Sequence, residues 1–196
     1  MRKLVLGSTS PFRKEILTKL NLAFECAKPN IDETPLENES PIALVERLAI
    51  EKAKAVAEQF PDALIIGSDQ VAMHNNTILG KPHTHDNAIK QLTSFSGNTV
   101  AFYTGLCVYD SASKQHLSLV EPFNVHFKSL SFDAINNYLL AEKPYQCAGS
   151  FKSEGLGICL FEKLSGDDPN TLIGLPLIKL TEMLETLGLD VLQAQQ

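Results

Sequence analysis

The segment Leu4-Val5-Leu6-Gly7-Ser8-Thr9-Ser10-Pro11-Phe12-Arg13-Lys14 sets an apolar run against a hydroxyl-rich turn, and the turn against two cations. Ser10 followed by Pro11 is the signature of a helix N-cap and first helical position. A strand, a tight turn and a helix start aim unpaired backbone N–H groups at one spot, where the helix dipole favours an anion. Residues 1–20 carry a net charge of +4 in a chain of net −6. Ser8, Ser10 and Arg13 therefore suit a phosphate; the plainer alternative is an ordinary first strand and helix with a solvated basic face. Asp69 follows the continuous apolar run Ala63-Leu64-Ile65-Ile66-Gly67. A carboxylate at the end of a buried strand is costly unless it is paired, metal-bound or at the open end of the sheet. Lys52 falls on a helical face made by Val45, Leu48, Ala49, Ala53 and Val56. There it either snorkels to solvent or reaches into a pocket for an anion. Asp32 and Glu33 sit in a loop between Pro29 and Pro35, where adjacent carboxylates are commonly just solvated.

The elements that must position these groups alternate along the chain. A helix is expected over 11–20, a short strand over 22–27, and a helix opened by Ser40-Pro41 and running to about Phe60. A strand through 63–67 leads into Ser68-Asp69-Gln70 and a turn at His74-Asn75-Asn76. Thr84 caps a helix to about Phe95, strands 99–110 and 117–128 form an antiparallel hairpin, and Ser131 caps a helix to about Leu140. Residues 147–155 form a small-residue loop holding Lys152 and Glu154. Ile158 to Phe161 reads as a strand, residues 166–170 as a turn, Leu175-Pro176 as the start of the last helix, and the tail to Gln196 as loose. Mixed elements without repeats or linkers give an α/β or α+β class with a mixed sheet.

Composition narrows the function classes. The 196 residues are 44% hydrophobic and 20% charged, ordinary for a globular domain with a sizeable core. The acidic balance argues against broad nucleic-acid binding but not against a small anionic substrate in a locally basic pocket. Cys26, Cys107, Cys147 and Cys159 are far apart, with no C-x-x-C pair, and read as small core residues in a reducing compartment. No stretch approaches the length of a membrane span, and the N-terminal apolar run breaks too early for a signal peptide, so a cytoplasmic protein is expected. The histidines show no ligand spacing, with His83 and His85 expected at the surface, and there is no G-x-S-x-G nucleophile elbow.

In order along the chain, Ser8-Thr9-Ser10-Pro11-x-Arg13, Asp32-Glu33, Glu51-Lys52-Ala53, Gly67-Ser68-Asp69-Gln70, Gly80-Lys81-Pro82 and Gly149-Ser150-Phe151-Lys152-Ser153-Glu154-Gly155 resemble the Maf family of nucleoside triphosphate pyrophosphatases. Each piece is weak alone; the series is specific and spans almost the whole chain. Phe12 and Gln70 stand where the commoner family pattern has Arg and Thr, and that pattern has Gln near Glu154; these departures match the branch that acts on 7-methyl-GTP. The resemblance implies a single Maf-like domain over residues 1–196. Its fold would be related to inosine triphosphatases, an elongated mixed sheet flanked by helices with an active-site cleft between two lobes. It further implies hydrolysis between the α and β phosphates with a divalent metal, Mg²⁺ or Mn²⁺. Ser8, Ser10, Arg13, Lys52 and Lys81 would hold phosphate, Glu33 and Asp69 the metal, and Asp69 would also serve the attacking water. Phe12 would stack on the cationic 7-methylguanine ring, Glu154 would accept from its N1–H and N2–H edge, and Gln70 would add an amide contact. The partners implied are the nucleotide and a possible second copy of the chain. The competing readings are the dTTP/UTP pyrophosphatase of other Maf branches, a house-cleaning enzyme for inosine-type nucleotides, and a non-catalytic nucleotide-binding protein linked to septum formation.

Overall fold

The structure is a computed structural model and describes residues 2–75 and 77–195. In chain order the elements are β1 (Lys3–Leu6), α1 (Pro11–Thr18), β2 (Glu25–Cys26), α2 (Pro41–Ala57), β3 (Ala63–His74), β4 (Thr77–Leu79) and α3 (His85–Phe95). They continue with β5 (Thr99–Asp110), β6 (Gln115–Phe127), α4 (Phe132–Glu142), β7 (Phe161–Ser165), α5 (Pro169–Ile173) and α6 (Leu177–Thr186). The strands run in the order β2-β1-β3-β5-β6-β7, with β4 paired to β3. The class is α/β with a mixed sheet, as expected: β1 is parallel to β2 and β3, while β4 is antiparallel to β3 and β7 to β6.

The chain divides into two compact units, and β3, β5 and β6 each contribute to both. The first comprises residues 1–70, 104–121 and 168–196. Its strands are apolar on both faces because both faces are covered. Leu4, Leu6, Leu64, Ile66, Leu106 and Val108 pack with Ile16 and Leu17 of α1 and Leu180 and Leu184 of α6. The alternate residues Val5, Ile65 and Cys107 pack with Ala49, Ala53 and Val56 of α2. Two glycines set how closely α2 lies on the sheet. A Cβ on Gly67 would lie 2.0 Å from the Ala49 carbonyl oxygen, and one on Gly105 would lie 2.1 Å from that of Val45. No larger residue fits at either position, and Gly67 precedes Asp69 by two residues.

The second unit comprises residues 71–103 and 122–167. Its core is aromatic: Phe95, Phe102, Phe127, Phe151 and Phe161 form a chain of tilted and edge-on contacts with ring centroids 5.0–5.6 Å apart.

Several expectations are corrected here. β3 continues through Asp69 to His74, so Asp69 lies within the strand, not at its end. The strand expected to start at Ile158 starts at Phe161, after a 3₁₀ segment over Leu156–Leu160. The turn at 166–170 is the entry to α5, whose start and stop are written in Asp168-Pro169 and Gly174. The Asp168 carboxylate accepts from Asn170 N at 2.8 Å and from Ile178 N at 2.9 Å, tying α5 to the start of α6. The C-terminal tail is anchored: Leu189 is buried, and the Gln195 amide donates to the Leu20 carbonyl at 2.9 Å and accepts from Asn21 Nδ2 at 2.7 Å. Gln196, and Asn76 of the expected turn, lie outside the described residues. Of the cysteines only Cys107 is buried, its thiol pushed up to about 12 by that burial, while Cys26 and Cys159 are exposed. His83 is exposed as expected, but His85 is half-buried, with its ring against the Tyr145 hydroxyl and Asn136 Oδ1 at 3.0 Å each.

Candidate active site

Four charged side chains of the first unit converge. Lys52, on the sheet-facing side of α2, is 5% exposed. It does not snorkel: its ammonium donates to Asp69 Oδ1 at 2.7 Å and to Glu33 Oε2 at 2.9 Å. The Gly67 contact explains the reach, since α2 lies against the backbone of β3 just before Asp69. Asp69 Oδ2 has no hydrogen-bond partner among the described residues, so one oxygen of this carboxylate is held and the other is available. Burial pushes the Arg13 guanidinium below its ordinary value, and the Asp69 and Glu33 carboxylates push it back up. Two cations and two carboxylates thus share one site.

Glu33 is brought there by a clamp that sequence reading missed. Arg47 on α2 donates through Nε to Glu39 Oε1 at 2.6 Å and through Nη2 to the Thr34 carbonyl at 3.2 Å. Its hydrogen bonds hold the Glu39 carboxyl down at about 2. Asp32 accepts from Thr34 N at 2.9 Å, turning the chain locally, so of the two adjacent acids only Glu33 faces Lys52. The signal was a second cation, Arg47, on the helix that carries Lys52, five residues away and about 140° around it.

Ser10 caps α1 as expected, its Oγ accepting from Arg13 N at 3.4 Å, while the buried Ser8 Oγ accepts from Ser10 N at 3.1 Å. Thr9 N–H and Phe12 N–H find no acceptor among the described residues, so the turn keeps backbone donors for an anion. Phe12 is 36% exposed and is no core aromatic. Gln70 is more committed than expected: its Nε2 donates to Thr104 Oγ1 at 2.8 Å and to the carbonyls of Thr171 at 2.8 Å and Leu172 at 3.2 Å. Only its Oε1 is left for a ligand.

The carbonyls of α5 are the second missed feature. The Gly174 carbonyl accepts from Arg13 Nε at 2.9 Å and from the buried Ser68 Oγ at 2.9 Å. Gly174 ends α5 with φ 118°, and a Cβ there would lie 3.4 Å from Arg13 Nε. Gly174→Ala is therefore expected to cost about 1–3 kcal/mol from backbone strain alone. Thermal denaturation should show a Tm several degrees lower; an unchanged Tm would mean that the left-handed turn is not required.

Lys81 and Glu154 belong to the second unit. Both are exposed, and Glu154 accepts only from its neighbour Ser153 Oγ, at 3.3 Å. Of the expected site residues, the structure brings Glu33, Lys52 and Asp69 into direct contact, with the Arg13 guanidinium close enough to feel both carboxylates. Ser8 and Ser10 shape the turn at the head of the helix that carries Arg13.

No cluster of three or more His, Cys, Asp or Glu side chains able to hold a metal occurs among the described residues. Glu33 and Asp69 nonetheless fit Mg²⁺ or Mn²⁺. Both offer hard carboxylate oxygens, and the Lys52 ammonium bonded to both marks the spot as one that takes a cation. Mg²⁺ characteristically uses one or two carboxylates, with water and substrate phosphates completing its sphere.

Known proteins resemble the chain over nearly its full length. The family model described as "Maf-like protein" matches residues 3–187. A protein of Colwellia psychrerythraea named 7-methyl-GTP pyrophosphatase is 69% identical over 195 residues, covering 100% of this chain and 98% of its own length. Proteins of the same name from Pseudoalteromonas translucida and Nitrosococcus oceani are 59% and 57% identical, covering 98% and 96% of this chain and 95% of each relative. Among solved structures, the Staphylococcus aureus Ham1 protein covers 78% of this chain and 88% of its own, at 13% identity and a TM-score of 0.46. With a family match over nearly its full length and relatives this similar from end to end, the chain belongs to the Maf family.

Proposed function

We propose that this chain hydrolyses 7-methyl-GTP to 7-methyl-GMP and pyrophosphate. The observation that carries the reading is the Glu33–Lys52–Asp69 cluster beside Arg13, on a chain so close to relatives named for that activity. Glu33 and Asp69 would hold the divalent metal. When bound, it supplies Lewis-acid stabilisation of charge on the phosphate oxygens. Arg13, Lys52 and Lys81 neutralise the triphosphate, and the turn at Ser8–Ser10 presents N–H donors to it. Asp69 Oδ2 orients the attacking water and accepts its proton. The water oxygen bonds to the α phosphorus, the bond from that phosphorus to the bridging oxygen breaks, and pyrophosphate leaves. A cytoplasmic setting goes with this substrate, and no helix among the described residues is long and apolar enough to cross a membrane. Clearing a modified nucleotide before it enters RNA would be the benefit to the cell.

Pyrophosphate release from 7-methyl-GTP, GTP, UTP and dTTP, with and without Mg²⁺ or Mn²⁺, tests the reading. A clear preference for 7-methyl-GTP with metal supports it. Preference for UTP or dTTP keeps the phosphate chemistry and removes the base assignment, and binding without turnover favours the non-catalytic reading.

Base choice is assigned to Phe12 and Glu154 on their exposure and chemistry. A cationic 7-methylguanine gains about 0.5–2 kcal/mol on an aromatic face. Glu154→Gln should raise KM for 7-methyl-GTP about tenfold, the range of a lost charge-assisted hydrogen bond, with little change for GTP. An equal loss on both nucleotides would remove Glu154 from base recognition.

A further inference from the structure

The segment that carries Lys81 has no sheet or helix of its own. Residues 80–84 join β4 to α3, and Gly80 has open space where a side chain would be. A glycine next to a functional lysine leaves the backbone loose unless something holds it. Two side chains of α3, four residues apart and so on one face, do so. Gln91 Nε2 donates to the Gly80 carbonyl at 3.1 Å, and Asn87 Nδ2 donates to the Pro82 carbonyl at 3.1 Å. These are the carbonyls on either side of Lys81. Behind them, the fully buried Ser150 hydroxyl donates to Gln91 Oε1. A carbonyl only accepts, so Gly80 requires the Gln91 amide to present its nitrogen. Ser150, by occupying the oxygen, fixes that orientation. Ser150 has φ 62°, a left-handed conformation uncommon for a residue with a side chain, next to Gly149 at φ 77°. The Lys81 ammonium makes no ion pair among the described residues.

We propose that Asn87, Gln91 and Ser150 are positioning residues for Lys81, a brace that sets where its ammonium meets the substrate's phosphates. The inference rests on the reading above that Lys81 is a phosphate ligand. Nothing in the brace touches substrate; it acts through the Gly80–Pro82 backbone, as misplacement of a binding group by about 1 Å can cost up to 10²-fold in rate.

The test is a double-mutant cycle on kcat and KM for 7-methyl-GTP, with Tm recorded for every variant. Gln91→Glu keeps the size of the side chain and its acceptor for Ser150 but has no donor for Gly80. It should lower kcat/KM about tenfold at near-native Tm. In a Lys81→Met background the same change should alter kcat/KM less than about twofold, because the residue it acts through is gone. A full tenfold loss in that background, or none in the native one, overturns the proposal. Ser150→Gly separates the hydroxyl from the backbone strain: loss of kcat/KM, coupled to Lys81 in the same way, supports the brace. Native kinetics with a raised Tm would show that Ser150 only makes a turn and would overturn its part. Lys81→Met alone retaining native turnover would instead refute the reading of Lys81 as a phosphate ligand, an outcome that needs no Gln91 variant to recognise.

Discussion

Asp69→Asn should lower kcat for 7-methyl-GTP by about 10³-fold while leaving the fold and nucleotide binding close to native. The amide has the carboxylate's shape and keeps an oxygen that can accept from Lys52, whose bond to Oδ1 is 2.7 Å long. The side chain therefore stays where it is. What it loses is the negative charge and the second oxygen. Oδ2, which has no partner among the described residues, becomes an NH₂ group that cannot take a proton from water or ligate a cation. General-base effects alone span about 10²–10⁴-fold, so 10³ is a conservative midpoint with the metal ligand removed as well. Single-turnover pyrophosphate release gives the rate, calorimetric titration with nucleotide gives the affinity, and Tm guards against misfolding. A kcat within about tenfold of native would sink the catalytic assignment of Asp69 and favour a protein that binds nucleotide without cleaving it.

Much of this was legible in the sequence, and the misses have physical reasons. The apolar runs of β1 and β3 announced strands, and the Ser40-Pro41 and Ser10-Pro11 pairs placed two helix starts to the residue. Lys52 was legible because a cation on an apolar stripe must be accounted for. The choice between snorkelling and inward pairing was not, because it depends on how near α2 lies to β3. That distance is set by Gly67 and Gly105, whose tight contacts are tertiary. Asp69 was taken for a strand end because polar residues follow an apolar run. The strand continues because Val71 and Ala72 are again buried in the second unit, where Ala72 pairs with Leu79 of β4. The Gly174 carbonyl is invisible to any reading of side-chain types, since its contribution to Arg13 and Ser68 is made by backbone. Yet Asp168-Pro169 with Gly174 spelled a short capped helix that was passed over as a turn. Gln70 shows the reverse case. An amide beside Asp69 was read as adding a contact to the ligand; its nitrogen is spent on Thr104 and the α5 carbonyls, which leaves Oε1 for that contact.

Lys52→Met should abolish measurable turnover and, in the same protein, expose the cation site that Lys52 covers. Native Lys52 is 5% exposed and its ammonium is shared between Asp69 and Glu33. Methionine fits the space beside Ala49 and Ala53 but leaves two carboxylates facing each other, with Arg13 as the remaining nearby cation. Breaking a buried pair costs about 3–5 kcal/mol. Glu33, with its side chain 56% exposed, can swing towards water, which brings the expected loss nearer 1–3 kcal/mol. The consequence for metal is opposite in sign. Without nucleotide, a divalent cation at Glu33 and Asp69 meets two carboxylates already neutralised by the Lys52 ammonium and is repelled by it, whereas in Lys52→Met it meets uncompensated carboxylates. Millimolar Mg²⁺ or Mn²⁺ alone should therefore raise the Tm of Lys52→Met well beyond its effect on the native protein, as ligand linkage requires. Adding Asp69→Asn to Lys52→Met should erase the difference. Equal, small metal shifts in all three proteins would mean that Glu33 and Asp69 do not hold a metal. Lys52 would then be a structural counter-ion for two acids, and the phosphate chemistry would rest on Arg13 and the helix N-terminus alone.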